Sequence, residues 1–199
     1  MKKLLIATGN PAKLEMFKNL LDDIDDIEIL TLADFEKIDE PVEDGDTVEE
    51  NALIKARYYC EAFGVATLSD DAGFEIHELD GIPGVKARRW GGELHENTSD
   101  EDWLNHFLEK INHVEKEMLN GSFPFARCLY LPDGRYYFQK EYISIRLSKT
   151  PRIPFKAGWP LSSVVHYHDG RHQLDIPDDD PFWHEQVKKD GLIKLVENL

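Results

Sequence analysis

The sequence has few cysteines, few basic residues and no long apolar segment, and each shortage excludes a class of protein. Its two cysteines, Cys60 and Cys128, match no zinc-ligand spacing. We expect both thiols to be reduced, as in a cytoplasmic protein, with a disulfide between them as the open alternative. No apolar run approaches the ~20 residues of a membrane-spanning helix, and the mean hydropathy is −0.48. We therefore expect no membrane partner.

Acidic residues dominate the charge, because 39 Asp and Glu face 23 Lys and Arg, which gives a formal net charge of −16. Proteins bind DNA and RNA through a basic face that neutralises phosphates. The balance here therefore argues against nucleic acid as a partner. It also sets a condition on any smaller anionic ligand, since local lysines or a divalent cation must overcome the field of the whole chain.

The apolar pattern predicts an α/β fold. A length of 199 residues with 41% hydrophobic side chains suits one domain over residues 1–199, with or without two lobes. Helices alternate with short strands, and hairpins add antiparallel pairs, so we expect a mixed sheet. The predicted helices cover 11–21, 47–63, 99–119 and 182–198. The predicted extended segments cover 4–8, 27–31, 66–68 and 74–79, with hairpins joining 124–131 to 135–147 and 164–167 to 172–174.

The first candidate motif follows the first strand directly, as Gly9-Asn10-Pro11-Ala12-Lys13. Asn10 suits the N-cap of a helix, and Pro11 suits its first position. We expect free backbone N–H groups, the helix dipole and Lys13 to point at one spot, which makes a cradle for phosphate. The alternative is an ordinary strand–turn–helix junction that binds nothing.

Acidic residues form the second candidate motif. Glu43 lies in an acidic loop before the capping box of Thr47 and Glu50, and Asp70-Asp71 follow the strand 66–68. We expect the two adjacent carboxylates to lie in a turn, where Mg²⁺ relieves their repulsion because it prefers such oxygens. One carboxylate would then hold the metal while another activates a water molecule. The alternative is a solvated turn.

Lys55 lies four residues after Asn51, on the same face of the predicted helix. If that face looks at the phosphate cradle, Lys55 can reach a bound phosphate. The alternative for a helical lysine is exposure to solvent.

Four segments, taken in order, resemble the inosine-triphosphate pyrophosphatase family, which hydrolyses noncanonical purine nucleoside triphosphates. The resemblance covers roughly residues 1–95. It implies a two-lobed fold with a central mixed β-sheet flanked by helices and a deep cleft between the lobes. It further implies a homodimer and Mg²⁺-dependent hydrolysis of a nucleoside triphosphate to a monophosphate and pyrophosphate. The segments are Thr8-Gly9-Asn10-x-x-Lys13, residues 47–57, Ser69-Asp70-Asp71-Ala72-Gly73, and Gly81-Ile82-Pro83-Gly84-Val85 with Ala87-Arg88-Arg89-Trp90.

Carried over position by position, the resemblance assigns roles to residues of both motifs. It implies that Asp71 is the general base, that Lys13 acts with it in catalysis, and that Lys55 assists in binding the triphosphate. The implied metal ligands are Glu43, Asp70 and Asp71. Ala72 stands where the family usually has serine, at a position that contacts substrate. The remaining implied triphosphate-binding residues are Thr8, Gly9 and Asn10, together with Lys13.

The C-terminal third departs from the family pattern. Trp159, preceded by Gly158, matches an aromatic residue that reads the base, but Pro160 replaces the aspartate that follows it. The family's Ser-His-Arg is absent before the last helix, where the nearest substitutes are either Lys188 and Lys189 or His184. Because specificity rests on paired hydrogen bonds, two alternatives stay open. One is a pyrophosphatase for a pyrimidine or modified nucleotide, and the other is a nucleotide-binding module without turnover.

Overall fold

The computed structural model of the protein describes residues 1–95 and 97–199. The chain forms two compact units, of which the first comprises 1–72, 125–141 and 181–199 and the second comprises 73–124 and 142–180. The helices are α1 (Pro11–Leu21), α2 (Val48–Phe63), α3 (Asp100–Ile111), α4 (Pro181–Gln186) and α5 (Lys189–Val196). The strands are β1 (Lys2–Ile6), β2 (Ile27–Thr31), β3 (Thr67–Ala72), β4 (Phe74–Ile76), β5 (Pro83–Gly84), β6 (Met118–Tyr130), β7 (Tyr136–Ser148) and β8 (Val165–His166).

The first unit is built on a mixed sheet in the order β2-β1-β3-β6. β1 runs parallel to β2 and to β3, with Leu5 opposite Thr67. β3 runs antiparallel to β6, with Asp70 opposite Arg127. The prediction of an α/β fold with a mixed sheet is therefore confirmed. Because β1 and β3 are parallel, the loop that follows β1 emerges beside the second half of β3, which carries Asp70 and Asp71.

Helices cover both faces of this sheet, so β1 is apolar throughout its buried part. Leu4, Leu5 and Ile6 are buried, and Leu5 packs with Tyr59 of α2. The side chains of α1 that are buried are Phe17, Leu20 and Leu21. Alternating strand positions point to opposite faces, so neighbouring residues of β3 reach different helices.

The second unit has an aromatic core and antiparallel strands. β4 pairs antiparallel with β5 and with β6, and β7 pairs antiparallel with β8. Trp103 of α3 stacks against Phe107 with ring centroids 6.2 Å apart, and Phe74 and Trp90 pack around the same pair.

Both cysteines of the chain are buried free thiols, so the disulfide alternative is not formed.

Two predicted helices end differently in the structure. The helix predicted over 99–119 begins after its N-cap Ser99 but ends at Ile111. Residues from Met118 onward join β6, because Leu119 is fully buried and Gly121 pairs with Ile76 of β4. Pairing within the sheet overrides the local helical pattern there.

The helix predicted over 182–198 is broken in two. Lys188 adopts a left-handed backbone with φ of 56° between α4 and α5. Arg127 Nη2 donates to the carbonyl of Val187 at 2.9 Å, and Gln139 Nε2 donates to the carbonyl of Lys188 at 3.1 Å. Arg127 thus supplies a donor to the Val187 carbonyl at the break, while the Lys188 carbonyl accepts from both Gln139 and the backbone N–H of Leu192 in α5. Gly191 lets α5 approach Gln139, since a Cβ there would lie 2.2 Å from the Gln139 amide nitrogen.

Three extended predictions have different outcomes. The segment 74–79 is extended to Ile76 and then turns into a short 3₁₀ helix, His77–Leu79. The second hairpin reduces to β8 and a single bridge between His166 and His172. The first hairpin is confirmed, as β6 and β7.

In the part of the chain that the structure describes, no helix has the length and apolar character that crossing a membrane requires.

Candidate active site

Two lysines and three acids from distant parts of the first unit meet at the carboxyl end of β3. Lys13 Nζ lies 2.8 Å from Asp70 Oδ2. Lys55 Nζ lies 3.2 Å from the backbone carbonyl oxygen of Asp70 and 2.9 Å from Glu43 Oε2. Both ammonium groups therefore touch the same strand residue. We call Lys13, Lys55, Glu43, Asp70 and Asp71 the lysine–carboxylate cluster.

Asp70 and Asp71 lie inside a strand, which corrects the prediction that they occupy a turn. β3 runs to Ala72, and successive strand residues point to opposite faces. Asp70 accordingly meets Lys13 of α1, whereas Asp71 Oδ2 accepts a hydrogen bond of 3.1 Å from Asn51 Nδ2 of α2. The two carboxylates are thus separated by the strand, and the crowding expected of a turn does not arise.

Asn51 holds Asp71 and the acidic loop in one arrangement. Its Oδ1 accepts a hydrogen bond of 2.9 Å from the backbone N–H of Gly45, while its Nδ2 donates to Asp71. A Cβ at Gly45 would lie 2.7 Å from Asn51 Oδ1, so the loop backbone needs glycine to come this close. Ser69 donates to the carbonyl of Ala52 at 2.5 Å, which fixes α2 against the same strand. The sequence placed Asn51 beside Lys55 on one helical face but did not reveal this role.

Burial and the charges of the cluster shift the pKa values of the two aspartates in opposite directions. Burial raises the pKa of Asp70, but Lys13 outweighs it, followed by Lys55 and Arg127, and the pKa lies below its usual value. Burial lowers the pKa of Lys13, yet Asp70, with Asp71 and Glu43, raises it overall. Burial raises the pKa of Asp71 to about 6, although Lys13, Lys55 and Asn51 oppose the shift. A carboxylate with a pKa near neutrality suits proton acceptance at physiological pH.

The amino end of α1 does not present the free backbone N–H groups that the sequence predicted. Pro11 has no N–H, and the N–H groups of Ala12 and Lys13 both donate to Asn10 Oδ1, at 2.9 and 3.3 Å. The N–H of Asn10 itself donates to Thr8 Oγ1 at 3.2 Å. The first turn of α1, all of which the structure describes, therefore offers no free backbone donor. The positive character of this end comes from Lys13 and the helix dipole. Gly9 lies exposed between these residues.

Arg127 is a residue of this region that sequence reasoning missed. It is 3% exposed, and it lies on β6 directly opposite Asp70. Its guanidinium donates to Gln139 Oε1 and to the Val187 carbonyl, each at 2.9 Å, and lies 5.4 Å from the centroid of the Phe17 ring. Burial lowers its pKa to about 10. A single arginine within an apolar strand gives no motif by which sequence alone would find it.

Of the predicted residues of the C-terminal third, Lys188 and Lys189 contact residues outside the lysine–carboxylate cluster, and Trp159 belongs to the second unit. Lys189 Nζ pairs with Asp23 at 2.8 Å. Lys188 forms the break between α4 and α5, and its carbonyl accepts from Gln139. Trp159 belongs to the second unit, where its backbone N–H donates to the carbonyl of Lys156. Ala72, the last residue of β3, is half-buried.

The predicted metal ligands do not form a ready-made metal site. Glu43 and Asp70 are each paired with a lysine, while Asp71 contacts a neutral amide. Over residues 1–95 and 97–199, no three His, Cys, Asp or Glu side chains come together as a metal-binding group. The donor chemistry nevertheless fits Mg²⁺, since all three acids supply carboxylate oxygens.

The fold and the cluster together define a mixed α/β protein whose lysines and carboxylates converge at the ends of parallel strands. A sequence model of the Ham1 family matches residues 4–164. The chain belongs to the Ham1 family. The family resemblance found in the motifs of the N-terminal half is thereby confirmed.

Two relatives and a solved structure agree with this assignment. A dITP/XTP pyrophosphatase of Corynebacterium glutamicum (strain ATCC 13032) is 34% identical over 201 residues, covering 98% of this chain and 96% of the relative. A second dITP/XTP pyrophosphatase, from Thermus thermophilus (strain ATCC 27634), is 39% identical over 132 residues, covering 66% of this chain and 61% of the relative. A HAM1 protein from Coxiella burnetii has the same fold, with a TM-score of 0.79 over the whole of both chains at 22% identity.

Proposed function

We propose that this protein is a nucleoside triphosphate diphosphatase that converts noncanonical purine triphosphates, such as dITP and XTP, to monophosphate and pyrophosphate. The observation that carries the proposal is the convergence of Lys13 and Lys55 on Asp70, next to Asp71. Two ammonium groups beside a carboxylate with a raised pKa supply charge for a polyphosphate and a proton acceptor for water. Relatives named dITP/XTP pyrophosphatase support the choice of substrate.

In the proposed reaction, Lys13 and Lys55 bind the phosphates, and the α1 dipole adds positive potential. Thr8, Gly9 and Asn10 lie at the amino end of α1, where the triphosphate would pass. Asp71 accepts a proton from a water molecule as that water attacks the α-phosphorus. The bond from the α-phosphorus to the bridging oxygen breaks, and pyrophosphate leaves with the electron pair. Asn51 holds the Asp71 carboxylate in place throughout.

Magnesium is the second part of the proposal. Glu43 and Asp71, which both contact residues of α2, would hold the ion with oxygen ligands of the type that Mg²⁺ prefers. Asp70, the third predicted ligand, would join them only if its carboxylate left Lys13. When bound, Mg²⁺ would neutralise phosphate charge that a chain of net charge −16 otherwise repels. We expect EDTA to abolish pyrophosphate release and added Mg²⁺ to restore it. Full activity in EDTA would remove the metal from the account.

The test of the activity is pyrophosphate release from a panel of triphosphates: dITP, XTP, ITP, the four standard deoxynucleotides and two modified pyrimidine nucleotides. We expect the highest kcat/KM for dITP or XTP. Preference for a pyrimidine would support the altered-specificity alternative, for which Pro160 is the motivating residue. Binding without any pyrophosphate release in Mg²⁺ would support the non-hydrolytic alternative.

The assignment of Asp71 has its own variant. We expect Asp71→Asn to lower kcat by about 100-fold or more, the range typical of losing a general base. Asp25→Asn, which changes an exposed aspartate of the same unit, should leave kcat unchanged within about twofold. If the two variants have equal activity, Asp71 is not the proton acceptor.

We further propose a cytoplasmic homodimer, which the motif resemblance and the reduced cysteines support. Light scattering after size-exclusion chromatography measures the mass in solution. A mass of twice 23.0 kDa would support the dimer, and a mass equal to 23.0 kDa would refute it.

A further inference from the structure

Asp70 creates a problem for the proposed function, on which this inference rests. Its side chain is 8% exposed, and its carboxylate is ion-paired with Lys13. If Lys13 turns from Asp70 to a phosphate, the carboxylate loses its contacting ammonium while still buried. Leaving one member of a buried ion pair alone is strongly unfavourable. Lys55 contacts Asp70 at its backbone carbonyl, and in the proposed reaction Lys55 also turns to the phosphates. Unless a second cation then faces the Asp70 carboxylate, the same ion pair that orders Lys13 would hold it back from substrate.

Arg127 is placed to be that second cation. It is the register partner of Asp70 across β3 and β6, and directly opposite residues share one face of a sheet. That face is also the face of α1, since the Arg127 guanidinium lies over the ring of Phe17, which follows Lys13 by one turn. Asp70 therefore faces a lysine from the helix and an arginine from the neighbouring strand.

The contacts of Arg127 leave its charge available. Its hydrogen-bond acceptors are the Gln139 side-chain amide and the Val187 carbonyl, and its stacking partners are Phe17 and Phe125. All four are neutral. A buried guanidinium is normally paired with a carboxylate at contact distance, and here Asp70 and Glu141 supply the negative charge that acts on it from the described part of the chain.

We propose that Arg127 is a positioning residue that compensates the Asp70 carboxylate when Lys13 transfers its ammonium to the polyphosphate of the substrate. Arg127 touches no phosphate in this account. It acts through Asp70, by lowering the cost of separating the Lys13–Asp70 pair. The hydrogen bond to the Val187 carbonyl and the stacking on Phe17 and Phe125 hold the guanidinium at the position from which it acts.

The experiment measures binding of inorganic tripolyphosphate by isothermal titration calorimetry at pH 7, in the absence of metal. We expect Arg127→Met to weaken binding about tenfold, since substrate must then strand a buried carboxylate. In an Asp70→Asn background, the same change should alter the affinity by less than about twofold, because no carboxylate remains to be stranded. Equal weakening in both backgrounds would overturn the proposal.

A matched control separates charge from structure. Gln139→Met removes one neutral partner of Arg127 and the tie to Lys188 but keeps the guanidinium. We expect this variant to bind tripolyphosphate within about twofold of the unaltered protein. A loss of tenfold would show that Arg127 acts only as a structural tie. If circular dichroism shows that Arg127→Met does not fold, the Gln139→Met variant is used alone. Binding within about twofold then supports the proposal, and a tenfold loss contradicts it.

The outcomes also separate this proposal from the proposed function. Tripolyphosphate binding without turnover of any nucleotide would refute the enzymatic activity, while the comparison of Arg127→Met in the two backgrounds would still decide the role of Arg127. An unaltered protein that binds no tripolyphosphate in the absence of metal would overturn the role proposed for Arg127, while pyrophosphate release in Mg²⁺ would still decide the proposed function.

Discussion

Asn51 is the residue through which the acidic loop and the candidate base are connected. Each polar atom of its carboxamide has one partner: Gly45 N–H on the oxygen and Asp71 on the nitrogen. The residue is 7% exposed, so water cannot easily replace either partner. Its identity therefore matters both for stability and for the direction in which Asp71 points.

We predict that Asn51→Ala lowers the free energy of unfolding by about 1–3 kcal/mol, because it leaves two polar groups without partners. Urea denaturation measures this change, and kcat for pyrophosphate release should fall with it. Asn19→Ala, on the exposed face of α1, should change stability by less than about 0.5 kcal/mol. Equal stability of the two variants would mean that the Asn51 network contributes nothing.

Among the residues of the site, sequence reasoning identified the two lysines but missed Arg127 and the contact of Asn51 with Asp71. Lys13 and Lys55 stand in local motifs, a helix start and a capped helical face, and the structure brings both to Asp70. Arg127 and the second role of Asn51 depend on contacts across 57 and 20 positions of the chain, to Asp70 and Asp71. No local pattern encodes such contacts. The assigned roles of the cluster residues stay predictions until the variants are measured.

The element that carries Asn51 and Lys55 is fixed at both ends by its own sequence. Thr47 Oγ1 accepts from the N–H of Glu50 at 3.2 Å, and Glu50 Oε2 accepts from the N–H of Thr47 at 3.1 Å. Gly64 ends the helix with φ of 66°. The capping box and the glycine explain why local sequence predicted both ends of α2 correctly.

We predict that Thr47→Ala lowers the free energy of unfolding by about 1 kcal/mol, the usual effect of removing an N-cap hydroxyl. Thermal or urea denaturation measures it. Thr47→Ser keeps the hydroxyl and should retain most of the stability. If Ala and Ser are equally destabilising at this position, the cap hydrogen bond is not the cause.

Glu78 fastens the 3₁₀ helix after β4 to the start of β6. It accepts hydrogen bonds from Lys116 Nζ at 2.8 Å and from the N–H of Asn120 at 3.0 Å. Burial raises the pKa of Glu78, but these two donors outweigh it and bring the pKa below its usual value. A carboxyl with a lowered folded-state pKa stabilises the fold above its unfolded pKa and loses that effect as the pH falls through the folded pKa.

We predict that Glu78→Gln costs about 1 kcal/mol of unfolding free energy at pH 7. The difference from the unaltered protein should shrink as the pH falls through the lowered pKa of Glu78, where the native carboxyl takes up its proton. Urea denaturation at several pH values measures this. Glu115→Gln, at an exposed position, should show no such trend. A difference that stays constant with pH would contradict the ionic origin.

Elements governed by distant contacts were the ones that sequence reasoning misjudged. The pattern over 99–119 is helical to Ile111, yet the residues from Met118 enter the sheet because β4 and a buried Leu119 recruit them. The break at Lys188 has a local sign in Gly191. Its cause lies in the donors of Arg127 and Gln139, on strands far away in the chain.

For the molecule as a whole, the excess of acidic residues and the proposed anionic substrate have to be reconciled. A net charge of −16 repels a triphosphate at long range, and salt screens that repulsion beyond about 10 Å. Lys13 and Lys55 provide positive charge where it acts at contact distance. Family membership, the mixed sheet and the convergence of the two lysines on Asp70 are consistent with one account, in which this local charge decides binding.

The most direct test of that account is the kcat/KM for dITP of Lys13→Met beside Lys18→Met. Both changes remove one lysine from α1, but Lys18 is exposed and Lys13 contacts Asp70. The account predicts a loss of about 100-fold or more for Lys13→Met, the scale expected when a charged phosphate-stabilising group is removed, with Lys18→Met within about twofold of the unaltered enzyme. A folded Lys13→Met protein as active as Lys18→Met would contradict it.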